Sequence, residues 1–347
     1  MFSGISDMSP DTAALYKSCR QCPRECGIDR FSQYVGFCRE PADLRIAFAG
    51  LHFGEEPLIT VKGGSGTIFF TGCTLRCKFC QNYQISQDGL GRPVSRDEFV
   101  SICHKLQDAG AENINLVTGS HHIPVIADYL AAARNDGINI PFCWNSSAYE
   151  KVEMLELLKG LVTIWLPDFK TLDGTLSKQL FDAPDYPEVC SAAIKWMIEN
   201  NPLDIREENR TVEGETGSET AGSRHTQTFE KMYQGVIIRH LFLPGKFAET
   251  ADVLQWLKEN ADGRACISLM NQYTPIPAKK GKIKEFEDRL VSKEEDQDIQ
   301  DLIEAYDFDY LFYQELSDDT SWLPDFNRKQ PFSNKLAKPL WHFNFPL

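Results

Sequence analysis

The stretch SGTIFFTGCTLRCKFCQN, residues 65–82, runs from a string of β-formers straight into three cysteines, Cys73, Cys77 and Cys80, in C-x3-C-x2-C spacing. TIFF (67–70) has the length and apolar content of a buried strand. In open parallel sheets and in barrels alike, chemistry collects where strands run out into loops at their carboxyl ends. A loop of thiols at that point makes this stretch both the first core strand and the first candidate site.

Outward from it, the strand signal recurs in NINLVT (113–118), NIPFCWN (139–145), LVTIWL (161–166), GVIIRHLFL (235–243) and ACISLM (265–270). Helical periods fill the intervals. SRDEFVSICHKLQDAG opens with Ser95 and Glu98 in capping-box spacing, sets Phe99, Cys103 and Leu106 on one face and stops at Gly110. This alternation predicts a parallel sheet with right-handed crossovers, either an incomplete barrel or a doubly wound sheet. Three segments break the rhythm. Residues 1–64 form an extension with cysteines of its own, ahead of a core spanning 65–314. Residues 205–228 are polar and poor in large apolar side chains, which predicts a mobile insertion. The tail 315–347, rich in aromatics and proline, is expected to wrap irregularly over the barrel.

The 347 residues, 42% hydrophobic and 25% charged, suffice for one large core or two modest ones. A formal charge of −14 repels a phosphate backbone, so nucleic acid is not expected as a partner. Residues 1–18 lack a basic segment followed by an apolar one, and no run of eighteen apolar residues occurs, which predicts a cytoplasmic protein with no membrane contact. In a reducing compartment the eleven cysteines point to metal binding or catalysis before disulfides. Four thiolates close a structural zinc or iron–sulfur site, whereas three on one tight loop leave a metal corner open for a substrate or cofactor. On these residues alone, a zinc site completed from a distance and simple packing are the alternatives.

With Phe79 directly before the last cysteine, GTIFFTGCTLRCKFCQN resembles the signature of radical S-adenosylmethionine (SAM) enzymes and is especially similar to the pyruvate formate-lyase activating enzyme branch. The likeness runs from about residue 19 to about residue 330. It implies an α/β fold, a partial (β/α)6 TIM-type barrel. It also implies a [4Fe–4S] cluster held by Cys73, Cys77 and Cys80, with SAM bound at the open iron and Phe79 beside it. Such a cluster delivers one electron to SAM, and the resulting 5′-deoxyadenosyl radical abstracts hydrogen. Flavodoxin or ferredoxin is the implied reductant, and a glycyl radical enzyme the implied target.

Other predicted strand ends fit to different degrees. WNSSAY offers Asn145, Ser146 and Ser147 where relatives carry amide and hydroxyl groups near the cofactor, and LPDFK offers Asp168 and Lys170. IIRHLFLPG carries Arg239, whose fork matches a carboxylate, and SLMNQYTP brings Asn271 to the same rim. One place departs from the pattern. Where the family puts a Gly-Gly-Glu-Pro stretch for the SAM amino group, this chain has VTGSHHIP, with Ser120, His121 and His122 and no carboxylate. A histidine pair there reads equally as a capped helix start and as a cofactor contact.

A second thiol group, Cys19, Cys22, Cys26 and Cys38, has C-x2-C-x3-C-x11-C spacing, enough to close a zinc site or a second iron–sulfur cluster. The remaining cysteines sit singly in apolar segments as small core residues. The leading expectation is a radical SAM oxidoreductase of the activating type. Radical modification of a small molecule or peptide is the alternative, and a non-catalytic metal-binding adaptor is the reading from another class.

Overall fold

The computed structural model describes residues 8–213, 224–279, 281–316 and 322–345. The strands are β1 (Arg45–His52), β2 (Ser65–Phe70), β3 (Arg92–Pro93), β4 (Ile114–Val117), β5 (Phe142–Ser146), β6 (Ile164–Pro167), β7 (Asp204–Glu213), β8 (Arg224–Leu241), β9 (Cys266–Met270), β10 (Leu311–Gln314) and β11 (Ala337–His342). The helices are α1 (Pro10–Lys17), α2 (Pro57–Thr60), α3 (Tyr83–Ser86), α4 (Arg96–Asp108), α5 (Ile123–Asn135), α6 (Val152–Leu155), α7 (Gly174–Phe181), α8 (Tyr186–Asn200), α9 (Phe247–Asn260) and α10 (Lys293–Tyr306). Hydrogen-bonded neighbours follow the order β10-β9-β8-β6-β5-β4-β2-β1-β11, an open path with two different ends. Along this path every pairing from β2 to β10 is parallel, whereas β1 runs antiparallel to β2 and β11; off the path, β3 pairs antiparallel with β1 and β7 with β8. The fold is an open partial barrel of the (β/α) type, and all the strands read from the sequence are present in it. Among the described residues no helix is long and apolar enough to cross a membrane.

Side chains alternate between the two faces of each strand. Cys143, Ile164, Leu166, Ile237 and Cys266 pack together on the concave face with Leu58 and Ile59 of α2, while Trp144, Trp165, Ile238 and Ile267 join the large core under the helices. Ser95 caps α4 by accepting from the Glu98 backbone N–H at 3.2 Å. The Glu98 carboxylate pairs with Arg92 at 2.5 Å, so the predicted reciprocal half of that capping box goes to another partner.

Three expectations about the flanks need correction. The first 64 residues are not wholly an extension, because β1 and α2 lie within them and belong to the sheet. The tail contributes a regular strand, β11, and sends Phe326 and Phe332 against Phe48 and Phe69 on the concave side. Residues 205–228 are ordered ladder wherever the structure describes them: β7 pairs antiparallel with β8 from Asp204–Gln234 out to Glu213–Arg224, and 214–223 fall outside the described residues. The hairpin is held by charge in place of apolar burial, which is why its composition misleads. Glu112, on the barrel, receives Arg210 and Lys231 from the two hairpin strands and the Gly63 N–H as well. Burial raises the pKa of Glu112, but these three donors outweigh it and hold the carboxyl down at about 2.

Candidate active site

β2 delivers the chain to the rim, and the loop that follows carries Cys73, Cys77 and Cys80. Gly72 begins that loop at φ +77, and a Cβ there would lie 2.3 Å from the Glu40 side chain, so both conformation and space demand glycine. The turn is closed by backbone bonds from Cys80 to Cys77 and from Lys78 to Leu180. Cys73 and Cys77 are buried and Cys80 is half-buried, with its sulfur 3.2 Å from the Ser86 hydroxyl. Burial pushes the Cys77 thiol up, and the neighbouring Cys73 and Cys80 sulfurs add to this while Lys170 opposes it. A bare thiolate in this position is costly, and a bound cationic cluster removes that cost, so the donor set fits a thiophilic group. Phe79 is buried and meets Phe286 edge-on at 5.8 Å, shutting one side of the loop against water.

The concave face continues this site by the two-residue period of its strands. Asn145 stands two beyond Cys143, Asp168 two beyond Leu166, Arg239 two beyond Ile237 and Ser268 two beyond Cys266. They converge on Arg239, whose Nε donates to Asp168 at 2.8 Å, Nη2 to Asn145 at 2.5 Å and Nη1 to Glu55 at 3.4 Å. Lys170 Nζ completes the cluster at 2.9 Å from Asp168. Burial works against the Lys170 charge, but the ion pair with Asp168 outweighs it and keeps the ammonium on, and this is the positive charge felt at Cys77. The thiol loop and the polar cluster thus share one electrostatic environment. Three members carry no sequence signal: Glu55 and Glu56, brought up by the turn before α2, and Asn115 on β4. Burial raises the pKa of both glutamates, and Arg239 opposes it. Asn115 is fully buried with neither amide atom partnered, and Glu56 Oε2 is likewise without a partner. Buried orphans of this kind mark a place where a polar ligand belongs.

Other expected contacts lie elsewhere. Ser120 and Ser146 donate to Glu150 at 2.6 and 3.0 Å, and Trp144 Nε1 joins them at 2.8 Å, so these hydroxyls are spent on a fully buried carboxyl whose pKa burial raises and their hydrogen bonds oppose. Ser147 is half-buried, and its carbonyl accepts from Tyr186 at 3.1 Å. The Asn271 amide nitrogen is taken by Asp296 and by Tyr313 at 2.9 Å. His122 has both ring nitrogens engaged, Nδ1 with the Tyr16 hydroxyl and Nε2 with Arg30, each at 3.0 Å. Arginine can only donate, so Nε2 accepts and the single proton of the neutral ring sits on Nδ1. Burial, then Arg30 and His121, keep His122 uncharged by lowering its pKa well below the ordinary range. His122 therefore bolts the N-terminal extension to the barrel, and its ring has no nitrogen left for a cofactor.

Residues 67–191, spanning the thiol loop and β2 to β6, match the Radical SAM superfamily. The chain carries a radical SAM domain. Radical SAM domains use a [4Fe–4S] cluster with S-adenosylmethionine and draw on an external reductant. Around this domain, 308 residues are 29% identical to an uncharacterized protein of Methanocaldococcus jannaschii, covering 86% of this chain and 78% of that one. Among solved structures, SuiB of Streptococcus suis bound to S-adenosylmethionine aligns with 70% of this chain and 48% of its own at 12% identity and a TM-score of 0.46. This chain therefore spans about half the length of SuiB. A radical SAM methyltransferase from Sphaerobacter thermophilus aligns over 72% of this chain and 66% of its own, with 14% identity and a TM-score of 0.45. A domain of pyruvate-formate lyase-activating enzyme from Bacteroides vulgatus aligns over 56% and 92%, with 15% identity and a TM-score of 0.36.

Proposed function

We propose that this protein is a radical SAM oxidoreductase in which Cys73, Cys77 and Cys80 hold the [4Fe–4S] cluster and the concave cluster around Arg239 holds S-adenosylmethionine and the substrate. The observation that carries the reading is the meeting of three thiols on one strand-end loop with a buried polar cluster on the same rim, where the Lys170–Asp168 ion pair stands within electrostatic reach of the Cys77 sulfur. When bound there, the cluster supplies the electron that splits the cofactor into methionine and a 5′-deoxyadenosyl radical for hydrogen abstraction. The protein does the positioning. Arg239, fixed by Asp168 and Asn145, presents a guanidinium to a carboxylate; Lys170 stands by the sulfurs; Phe79 and Phe286 exclude water that would quench a radical. Asn115 lies beside Cys143 in the β4–β5 ladder, and its unpartnered amide receives a polar group of the ligand.

Resemblance of the thiol loop to the activating branch makes a glycyl residue of a partner enzyme the proposed hydrogen donor, with flavodoxin or ferredoxin as reductant. The test has two stages. Anaerobically reconstituted protein, reduced with dithionite and given S-adenosylmethionine, is expected to release methionine and 5′-deoxyadenosine in equal amounts; none after full iron loading rejects the enzyme reading in favour of a metal-binding adaptor. A glycyl radical signal in a co-purified partner then supports the activating role, and its absence while 5′-deoxyadenosine still forms redirects the search to peptides and small molecules.

A further inference from the structure

The other four thiols make a site of their own. Cys19, Cys22, Cys26 and Cys38 line one small cavity under the loops of the N-terminal extension, together with Gln21, Arg30 and His121. Turns rather than strands bring them there: Cys19 N–H bonds to Ile28, Gly27 N–H returns to Cys19, and Glu25 N–H closes on Cys22. Cys19, Cys22 and Cys38 are buried and Cys26 reaches the surface, so the four thiols border this one cavity from inside and outside. Two polar side chains that line the same cavity have no partner, although each is about 2% exposed: the Gln21 amide and both nitrogens of His121. Four thiols bordering one cavity, beside buried polar side chains without partners, are a donor set that suits a thiophilic ligand with polar neighbours.

This cavity shares a wall with the radical SAM loop. The Cys38 carbonyl and Glu40 abut Gly72, Thr71 Oγ1 donates to Glu40 at 3.1 Å, and Arg24 Nε donates to the Thr74 carbonyl at 2.9 Å. On the opposite side Cys26 is exposed, next to Tyr34 at 79% and Val35 at 52% exposure. One edge thus faces solvent and the other touches the loop that carries the first set of thiols. We propose that Cys19, Cys22, Cys26 and Cys38 hold a second iron–sulfur cluster that takes electrons at the Cys26 edge and passes them to the radical SAM cluster. One electron leaves a low-potential donor of the flavodoxin or ferredoxin class, reduces the second cluster by one, and moves on to the first, restoring the second. The relay rests on the function proposed above; the metal site does not.

The experiment keeps the two apart. In the triple variant Cys73→Ala, Cys77→Ala, Cys80→Ala, reconstituted anaerobically, about four iron and four sulfide per chain are expected to remain, with a paramagnetic signal on reduction. Zinc in their place, or no metal, overturns the second cluster without touching the proposed activity. In Cys22→Ser/Cys38→Ser, shown to be folded by circular dichroism, 5′-deoxyadenosine formation is expected to be lost with reduced flavodoxin and kept with dithionite, which reaches the first cluster directly. Equal rates with both donors, or equal loss with both, overturn the relay, and the iron count of the triple variant still decides the site if the serine variant fails to fold.

Discussion

The two sets of cysteines are held in opposite ways. Cys73, Cys77 and Cys80 ride on a loop that leaves a fully buried strand, so the sheet places them. Cys19, Cys22, Cys26 and Cys38 have no strand beneath them and keep their place through turns and long side chains that reach the barrel, chiefly Arg24 and Arg30. Arg30 is 1% exposed; it donates to the carbonyls of Pro41 and His121 and to His122, and stacks over Tyr16 at 4.8 Å. A thiol set built on a sheet tolerates loss of its ligands. One built on stitches loses its frame when a stitch is cut.

The largest expected effect is on chemistry. Any one of Cys73→Ala, Cys77→Ala or Cys80→Ala is expected to abolish 5′-deoxyadenosine formation, with far-UV circular dichroism and the melting curve close to the parent's. Undiminished product in all three would break the sheet-held half of the comparison. Next comes the frame. Arg30→Met strands His122 and the buried carbonyls without a donor, and is expected to cost about 3 kcal/mol in denaturant unfolding and to open the segment before β1 to protease while the rest of the barrel resists. Protection equal to the parent's would show that the extension stands without its stitches.

A smaller effect is expected from pH. Burial, then Arg30, holds His121 down at about 3 and His122 well below its ordinary range, while in the unfolded chain both titrate near 6.5. Their folded values are depressed, so below pH 6.5 the unfolded state binds protons that the folded state refuses, and stability falls with pH until the folded values are reached. Each histidine contributes at most about 1.4 kcal/mol per pH unit in that window. Melting temperatures taken from pH 7.5 to 5.0 are expected to fall more steeply in the parent than in His122→Gln; parallel curves would sink the assignment of His122 as a neutral, bolted ring. The smallest change belongs to the hairpin. Joining Glu213 to Arg224, which pair across the ladder, by a two-residue Asn-Gly turn in place of 214–223 is expected to shift the melting temperature by less than about 2 °C, since closure entropy varies slowly with length. A larger drop would show that contacts outside the ladder matter.

What the sequence revealed follows the same division. The strands from TIFF to ACISLM are apolar runs between helical periods, and the sheet has them all, because burial on both faces leaves that mark in composition. The hairpin left no such mark: its strands alternate charges that find Glu112 and each other, which reads as a solvated loop until the partner is known. Within the site, Cys73, Cys77 and Cys80 were legible from local spacing, and Asp168 and Arg239 from their place at strand ends. Glu55, Glu56 and Asn115 were not, because only the folding of α2 and β4 toward the concave face gives them a role. The histidine pair misled for a related reason: the residues that decide the protonation of His122 are Tyr16 and Arg30, far away in the chain.

The antiparallel edge gives the molecule an order of assembly. Among the described strands β1 is the first to leave the ribosome and β11, its outer partner, the last, so the outer edge of β1 from Phe48 to His52 stays bare through synthesis of everything between, β3 covering only Arg45 and Ile46. A bare edge is a template for other chains. The ladder shifts register at Ala49–Gly50, and there the Lys338 carbonyl approaches to where a Cβ on Gly50 would stand, 2.5 Å away. The side chain missing at Gly50 is therefore what lets the late strand seat, and a methyl group at that position would hand a newly made molecule over to its neighbours.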